Sequence, residues 1–219
     1  MYYALGVRSV GLTHTCHNRY ADSEEPAAAL HGGLSAAGFV VIAEINRIGL
    51  VADLSHTSFA TQRDVLGVTK APVMFSHSSA YAVCNHTRNV PDDVLLSLEK
   101  NGGIIMITFY ALFTHCEEPS KAALVHVANH IQYVGELIGY RHVGIGSDFD
   151  GMAEGPEGLE DVSKYPDLIA ELLRRGVSVR DLEGVVGGNV LRVLRQVEQV
   201  AERLRLENPL EDDVKEFFG

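Results

Sequence analysis

Four residues able to bind a metal or move a proton close four short apolar runs of the sequence. His14 ends LGVRSVGLTH (5–14), His56 ends GLVADLSH (49–56), His77 ends APVMFSH (71–77) and Asp148 ends HVGIGSD (142–148). Any one such histidine is more often a hydrogen-bonded structural residue. Three of ten histidines at equivalent points are harder to reach by chance. His56 and His77 stand in matching contexts, DLSH and MFSH, and neutral imidazoles on adjacent strand ends suit zinc. Two histidines do not complete such a site, which needs a third ligand. The carboxylate of Asp148 could serve as a general base on a metal-activated water. Asp150, just before Gly151, reads as a turn residue. Arg88, eleven residues after His77, could clamp a substrate carboxylate bidentately, or could form a surface ion pair with Asp92 or Asp93. Both readings stay open on spacing alone. His17, His31, His86, His115, His126, His130 and His142 have no strand-end logic and read as structural or solvated.

The elements that must position these residues repeat one rhythm. The four runs above and GIIMITFY (103–110) have the length and the Val and Ile content of buried strands. Between them lie helical stretches. One is capped by Ser35, runs to about Ile48 with Ile42, Ile45 and Ile48 on one side, and stops at Gly49. Others are expected near 58–67, 91–101, 121–138, 164–175, 178–186 and 189–204. Asn189 is the expected cap of the last, whose Val190, Val193, Leu194, Val197 and Val200 form an apolar stripe. The acidic stretch 155–167 reads as a solvated loop with a proline-defined helix start.

Strands alternating with helices predict an α/β fold with a parallel sheet, whose strand ends share the face that carries the active site. No GxGxxG or phosphate-binding loop follows any strand, which weakens an open nucleotide-binding sheet against a (β/α)8 barrel. Five strand–helix units fill nearly the whole chain where a barrel needs eight, so about three strands are expected to be absent. The expected organisation is one barrel unit over 1–204 and an acidic surface tail over 205–219.

Composition bounds the function. Eighteen Lys and Arg against 29 Asp and Glu give a net charge of −11, and no basic cluster occurs. Nucleic acid and anionic membrane are therefore not expected partners. No apolar run approaches a membrane span, and MYYALGVRSV does not read as a signal peptide. Cys16, Cys84 and Cys116 form no metal-binding spacing and on counting alone read as three free thiols.

These residues resemble the membrane (renal) dipeptidase family, peptidase family M19. The motifs that carry the resemblance are LGVRSVGLTHTCHN (5–18), NRIGLVADLSHTS (46–58), APVMFSHSSAYAVC (71–84), RNVPDDVL (88–95), VGIGSDFDG (143–151) and EGLEDVSKYPDLIAELLRRG (157–176). The resemblance implies a distorted (β/α)8 barrel of the metal-dependent hydrolase type. It implies two zinc ions bridged by a glutamate, and dipeptides as substrates. His56 and His77 match the two ligands of one zinc. His14 matches a residue that contacts the substrate and polarises its scissile carbonyl. Arg88 matches the residue that holds the substrate's C-terminal carboxylate, and Asp148 the one that transfers a proton to the leaving amine.

Two family motifs do not occur here: the H-x-D pair of the first strand and the bridging Glu of an E-G-G or E-G-A turn. Met1-Tyr2-Tyr3 resembles an internal stretch of the family. The expectation is an N-terminally truncated barrel with at most a partial zinc site. By the same resemblance Cys84 and Cys116 match a disulfide pair of extracellular members, and the match of Cys16 has its partner in the missing segment. That pair points to a secreted or membrane-associated parent, while the compartment of this chain stays open. The leading function is a zinc-dependent dipeptidase, and the rival is a non-catalytic remnant of one. A homodimer is among the assemblies considered.

Overall fold

The computed structural model describes residues 2–153 and 155–210. Residues 211–219, most of the expected acidic tail, lie outside the described residues. Five strands form one sheet: β1 (Ser9–Gly11), β2 (Val51–Asp53), β3 (Met74–Ser78), β4 (Ile104–Ile107) and β5 (Val143–Ile145). All pairings are parallel, and the spatial order is the sequence order β1-β2-β3-β4-β5. A doubly wound sheet reverses its order at a switch point, whereas neighbours in a barrel follow the chain, so the order selects the barrel type. The connecting helices are α1 (Ala36–Ile48), α2 (Phe59–Val68), α3 (Asp92–Asn101), α4 (Ala111–Thr114) and α5 (Leu124–Ile138). After β5 come α6 (Tyr165–Arg174), α7 (Val179–Glu183) and α8 (Asn189–Leu204).

Local chemistry sets these boundaries. Ser35 accepts the Gly38 N–H at the start of α1, and Gly49, with φ 90°, closes that helix. Val51, Met74 and Ile104 lie in one apolar cluster with Val193, Val197 and Val200 of α8. Ala52, Phe75 and Ile105 belong to a second, larger core that includes Ile42 and Ile45 of α1, Val65 of α2 and Leu95 and Leu98 of α3. The sheet is thus buried on both sides, as a parallel sheet with near-continuous apolar strands requires.

Three local expectations need correction. Asn189 does not cap α8; Gly188 precedes it in helical conformation, and a π-helical turn over Gly184–Gly188 joins α7 to α8. The buried Asn189 amide instead donates to the carbonyls of Tyr140 and Val143, pinning α8 to the start of β5. The acidic stretch before α6 is not wholly solvated, because Leu159 is fully buried and anchors it to the core. The strands are also shorter than the apolar runs. His14, His56 and Asp148 each stand three residues beyond the last residue of their strands, on the turns that follow.

Candidate active site

The residues at the C-terminal ends of the strands converge. The His14 and His56 rings lie 4.1 Å apart between centroids, and those of His56 and His77 lie 5.0 Å apart. The two Nε2 atoms of His56 and His77 face each other at 3.0 Å. Two nitrogens bound to one tetrahedral zinc at ~2.0–2.1 Å would stand roughly 3.3 Å apart. The pair therefore fits a shared metal with little movement. Among the described residues no three His, Cys, Asp or Glu side chains form a group that could hold a metal, so a site here would have these two nitrogens as only part of its ligand set.

His77 is aimed by an irregularity of its strand. Phe75 pairs with Ile105 and Ser78 with Ile107, so β3 carries one residue more than β4 across the Ser76–His77 stretch. Such a bulge re-aims a side chain at a strand end. The Asp53 carboxylate holds it, accepting the N–H groups of Ser55 and Ser76 at 3.1 and 3.0 Å. A side chain at Gly146 would collide with the Ser76 carbonyl, which is why β5 can pass so close. The ring is fixed by Ser76 Oγ, 2.7 Å from Nδ1. Burial, then the positive charge of Arg88, hold the His77 imidazole below its ordinary pKa. The ring is thus kept in the neutral form that a metal requires.

Arg88 lies inside, not on the surface. It is 5 % exposed, and its guanidinium donates to the His77 carbonyl and packs over the Phe113 ring. The two carboxylates weighed as its partners are engaged elsewhere. Asp93 pairs with Arg63 and Asp92 accepts from the Tyr133 hydroxyl. The partner of Arg88 is Glu24, whose Oε1 lies 3.3 Å from Nε. Burial lowers the Arg88 pKa, and the charges of Glu24, Asp148 and Asp53 oppose that shift. Asp148 also acts on His77, favouring its charged form.

Sequence reasoning missed Glu24 and Asp53. Glu24 sits in an acidic, alanine-rich loop and carries no motif. Its depth is decided by its neighbour Asp22, whose buried carboxylate gathers the N–H groups of Leu30, His31, Gly32 and Gly33 and folds the loop onto the site. Burial pushes the Glu24 carboxyl up, but the His56 imidazole and the Arg88 charge outweigh it, and the net shift is downward. An open cleft of about 480 Å³ is lined by Glu24, His56, Arg88, Tyr110 and Phe113 among others. One wall carries Glu24 and the His56 imidazole, the other is cationic and aromatic. Such a cleft can take a small molecule with a terminal carboxylate and a polarisable group nearby.

The remaining expectations divide cleanly. Cys84 and Cys116 form a disulfide with Cα atoms 5.5 Å apart, and Cys16 is free and exposed. The reading of three free thiols on counting alone fails for the first two, and the pairing implied by the resemblance is the one formed. His130, fully buried, accepts from the Ala80 N–H and faces the Thr114 carbonyl, a structural role. No described helix is long and apolar enough to cross a membrane.

The model of the membrane dipeptidase family, peptidase family M19, matches residues 1–208. Dipeptidase aclJ of Aspergillus oryzae is 67% identical over 218 residues, covering 100% of this chain and 52% of its own length. Dipeptidase verJ of Clonostachys rogersoniana is 54% identical over 203 residues, covering 93% of this chain and 52% of its own. The chain thus spans about half the length of the curated relatives it matches. Among solved structures, the probable dipeptidase PvdM of Pseudomonas aeruginosa superposes with a TM-score of 0.86 at 25% identity, over 91% of this chain and 65% of that one. A metallopeptidase of Rhodobacter sphaeroides, liganded with a phosphinate mimic of the dipeptide L-Ala-D-Ala, gives 0.82 at 28% identity over 90% and 57%.

Proposed function

This chain belongs to the membrane dipeptidase family, peptidase family M19, and we propose from that membership that its cleft is the dipeptide-binding and proton-transferring part of a zinc-dependent dipeptidase site. The observation that carries the reading is the facing pair of His56 and His77 nitrogens beside a buried arginine. His56 and His77 would hold one zinc, which when bound supplies Lewis acidity toward a carbonyl or a water.

The chain's own residues supply the rest. Arg88 binds the C-terminal carboxylate of the dipeptide, because a buried guanidinium offers charge and paired donors where water does not compete. His14, its ring tilted against that of His56 and open to solvent, contacts the scissile carbonyl oxygen. Asp148 carries the proton to the amine nitrogen as the peptide bond breaks, since a carboxylate within the field of His77 and Arg88 can accept and release it. Phe113 and Tyr110 shield the Arg88 end of the cleft. A side chain at Gly151 would strike the Asp148 carboxylate, so that glycine keeps Asp148 clear.

A second reading, a family member without catalysis of its own, is favoured by one observation: two imidazoles form only part of a ligand set among the described residues. Zinc content and hydrolysis of L-Ala-L-Ala and L-Ala-D-Ala separate the two. They are measured on this chain and on a form extended by the half of the relatives' length that it does not match. The dipeptidase reading expects hydrolysis by the extended form, lost with one zinc in His77→Ala. A zinc-loaded extended form that cleaves neither dipeptide, or whose rate survives His77→Ala, overturns it.

A further inference from the structure

Glu24 has no part in the chemistry above, yet its carboxylate lies at the centre of the site. Its side chain is only 5 % exposed, and Oε1 stands 3.5 Å from His56 Nδ1 and 3.3 Å from Arg88 Nε. Oε2 accepts from Ser23 Oγ at 3.0 Å, and the Glu24 N–H donates to the His56 carbonyl at 3.3 Å, so loop and side chain are both tied down. His56 Nδ1 and Arg88 Nε are buried and make no hydrogen bond among the described residues, so the Glu24 carboxylate meets both as a close charge contact.

The position of the carboxylate decides the direction of a proton chain. Four groups stand in a row: Ser76 Oγ, the His77 ring, the His56 ring and Glu24, joined at 2.7, 3.0 and 3.5 Å. Two neutral imidazoles whose Nε2 atoms face each other share one proton between them, so two arrangements exist. If His56 bears its proton on Nε2, its Nδ1 lone pair points at a carboxylate oxygen in a buried, poorly screened place, which is repulsive. If it bears the proton on Nδ1, the same contact is attractive and Nε2 is bare. We propose that Glu24 is a positioning residue. It fixes His56 as the Nδ1–H tautomer with Nε2 turned to the metal-binding point, and the same oxygen holds Arg88 in place. In the metal-free chain His77 then carries its proton on Nε2, donates to His56 and accepts the Ser76 hydroxyl at Nδ1. Loading a metal requires that proton to move to Nδ1, where Ser76 Oγ can accept it. A carboxylate behind a ligating histidine raises the basicity of the ligand, and loss of such a partner weakens metal affinity ~10–100-fold.

The test is the tautomer of His56 in the metal-free, ¹⁵N-histidine-labelled chain, read from long-range ¹H–¹⁵N spectra of wild type, Glu24→Ala and Glu24→Gln. The wild type should be protonated at Nδ1, and Glu24→Ala should show a mixed or reversed pattern. His130 is the internal control for folding, since its Nδ1 accepts the Ala80 N–H and its proton therefore stays on Nε2. Should Glu24→Ala lose the His130 signature, Glu24→Gln, equal in size and uncharged, carries the same expectation. A wild-type His56 protonated at Nε2 overturns the proposal without any variant. So does an unchanged His56 tautomer in a folded variant. The role toward a metal rests on the dipeptidase reading, and zinc titration of the same proteins tests it separately. Affinity should fall ~10–100-fold in Glu24→Ala. Equal affinity with an intact effect of His77→Ala overturns the role of Glu24, whereas no effect of His77→Ala overturns the dipeptidase reading instead.

Discussion

His56 and Asp148 share a positive φ, 67° and 68°, and no other non-glycine residue among those described adopts one. Each stands three residues past its strand, His56 after Asp53 and Asp148 after Ile145. The left-handed region costs a residue with a side chain on the order of 1–3 kcal/mol and persists only where the surroundings over-determine it. Both turns follow parallel strands of one sheet, so the two side chains leave the sheet on the same end, at a local cost that the packed sheet beneath them offsets.

Replacing Asp148 by glycine should therefore stabilise the fold while removing the carboxylate proposed to carry the proton. The expected gain in urea denaturation is about 0.5–1 kcal/mol. Asp148→Asn should leave stability nearly unchanged and lower kcat of the extended form far more than it raises KM. A loss of stability in Asp148→Gly would show that the turn is held by the carboxylate rather than strained by it.

Removal of the Arg88 side chain leaves the Glu24 carboxylate buried without its cation. Arg88→Ala should cost about 3–5 kcal/mol in stability. Arg88→Ala in the extended form should also raise KM for free dipeptides and leave dipeptide amides, which lack the terminal charge, almost unaffected. An equal rise for both substrates would place Arg88 outside carboxylate recognition.

The Cys84–Cys116 disulfide closes a loop with a sequence separation of 32 residues, linking the turn after β3 to the segment after α4. On the chain-entropy account it contributes roughly 3–4 kcal/mol. The double serine variant should melt several degrees lower. Without reduction, iodoacetamide should modify one cysteine per folded chain, the exposed Cys16.

His130 makes stability depend on pH. Burial lowers its pKa from the ordinary 6.5 to about 4, and protonation would also cost the ring its acceptor for the Ala80 N–H. The unfolded chain binds a proton between those values and the folded chain does not. Stability from this group is present above pH 6.5 and is lost as pH falls toward 4, by on the order of 3 kcal/mol. His130→Asn should be less stable at pH 7 and show a shallower decline over that window. An unchanged slope in chemical denaturation would assign the decline to other groups.

The sequence by itself determined the alternation of strands and helices and the parallel sheet, and it put His14, His56, His77 and Asp148 at the C-terminal side of that sheet, though three of them stand on the turns beyond the strands, because period and turn chemistry are local. Ser35 and Gly49 marked the limits of α1 for the same reason, and family resemblance paired Cys84 with Cys116. Only the tertiary structure decided what is buried beside what. Arg88 had two readings until the fold put it inside, with Asp92 and Asp93 already engaged. Asn189 looked like a cap, but its amide satisfies the carbonyls of Tyr140, in the turn before β5, and of Val143, the first residue of β5. Glu24 carries no sequence pattern that marks it, and its depth follows from the four backbone donors that Asp22 gathers up to eleven residues along the chain. Desolvation and charge pairing act through space, so a one-dimensional pattern holds no trace of them until the backbone closes.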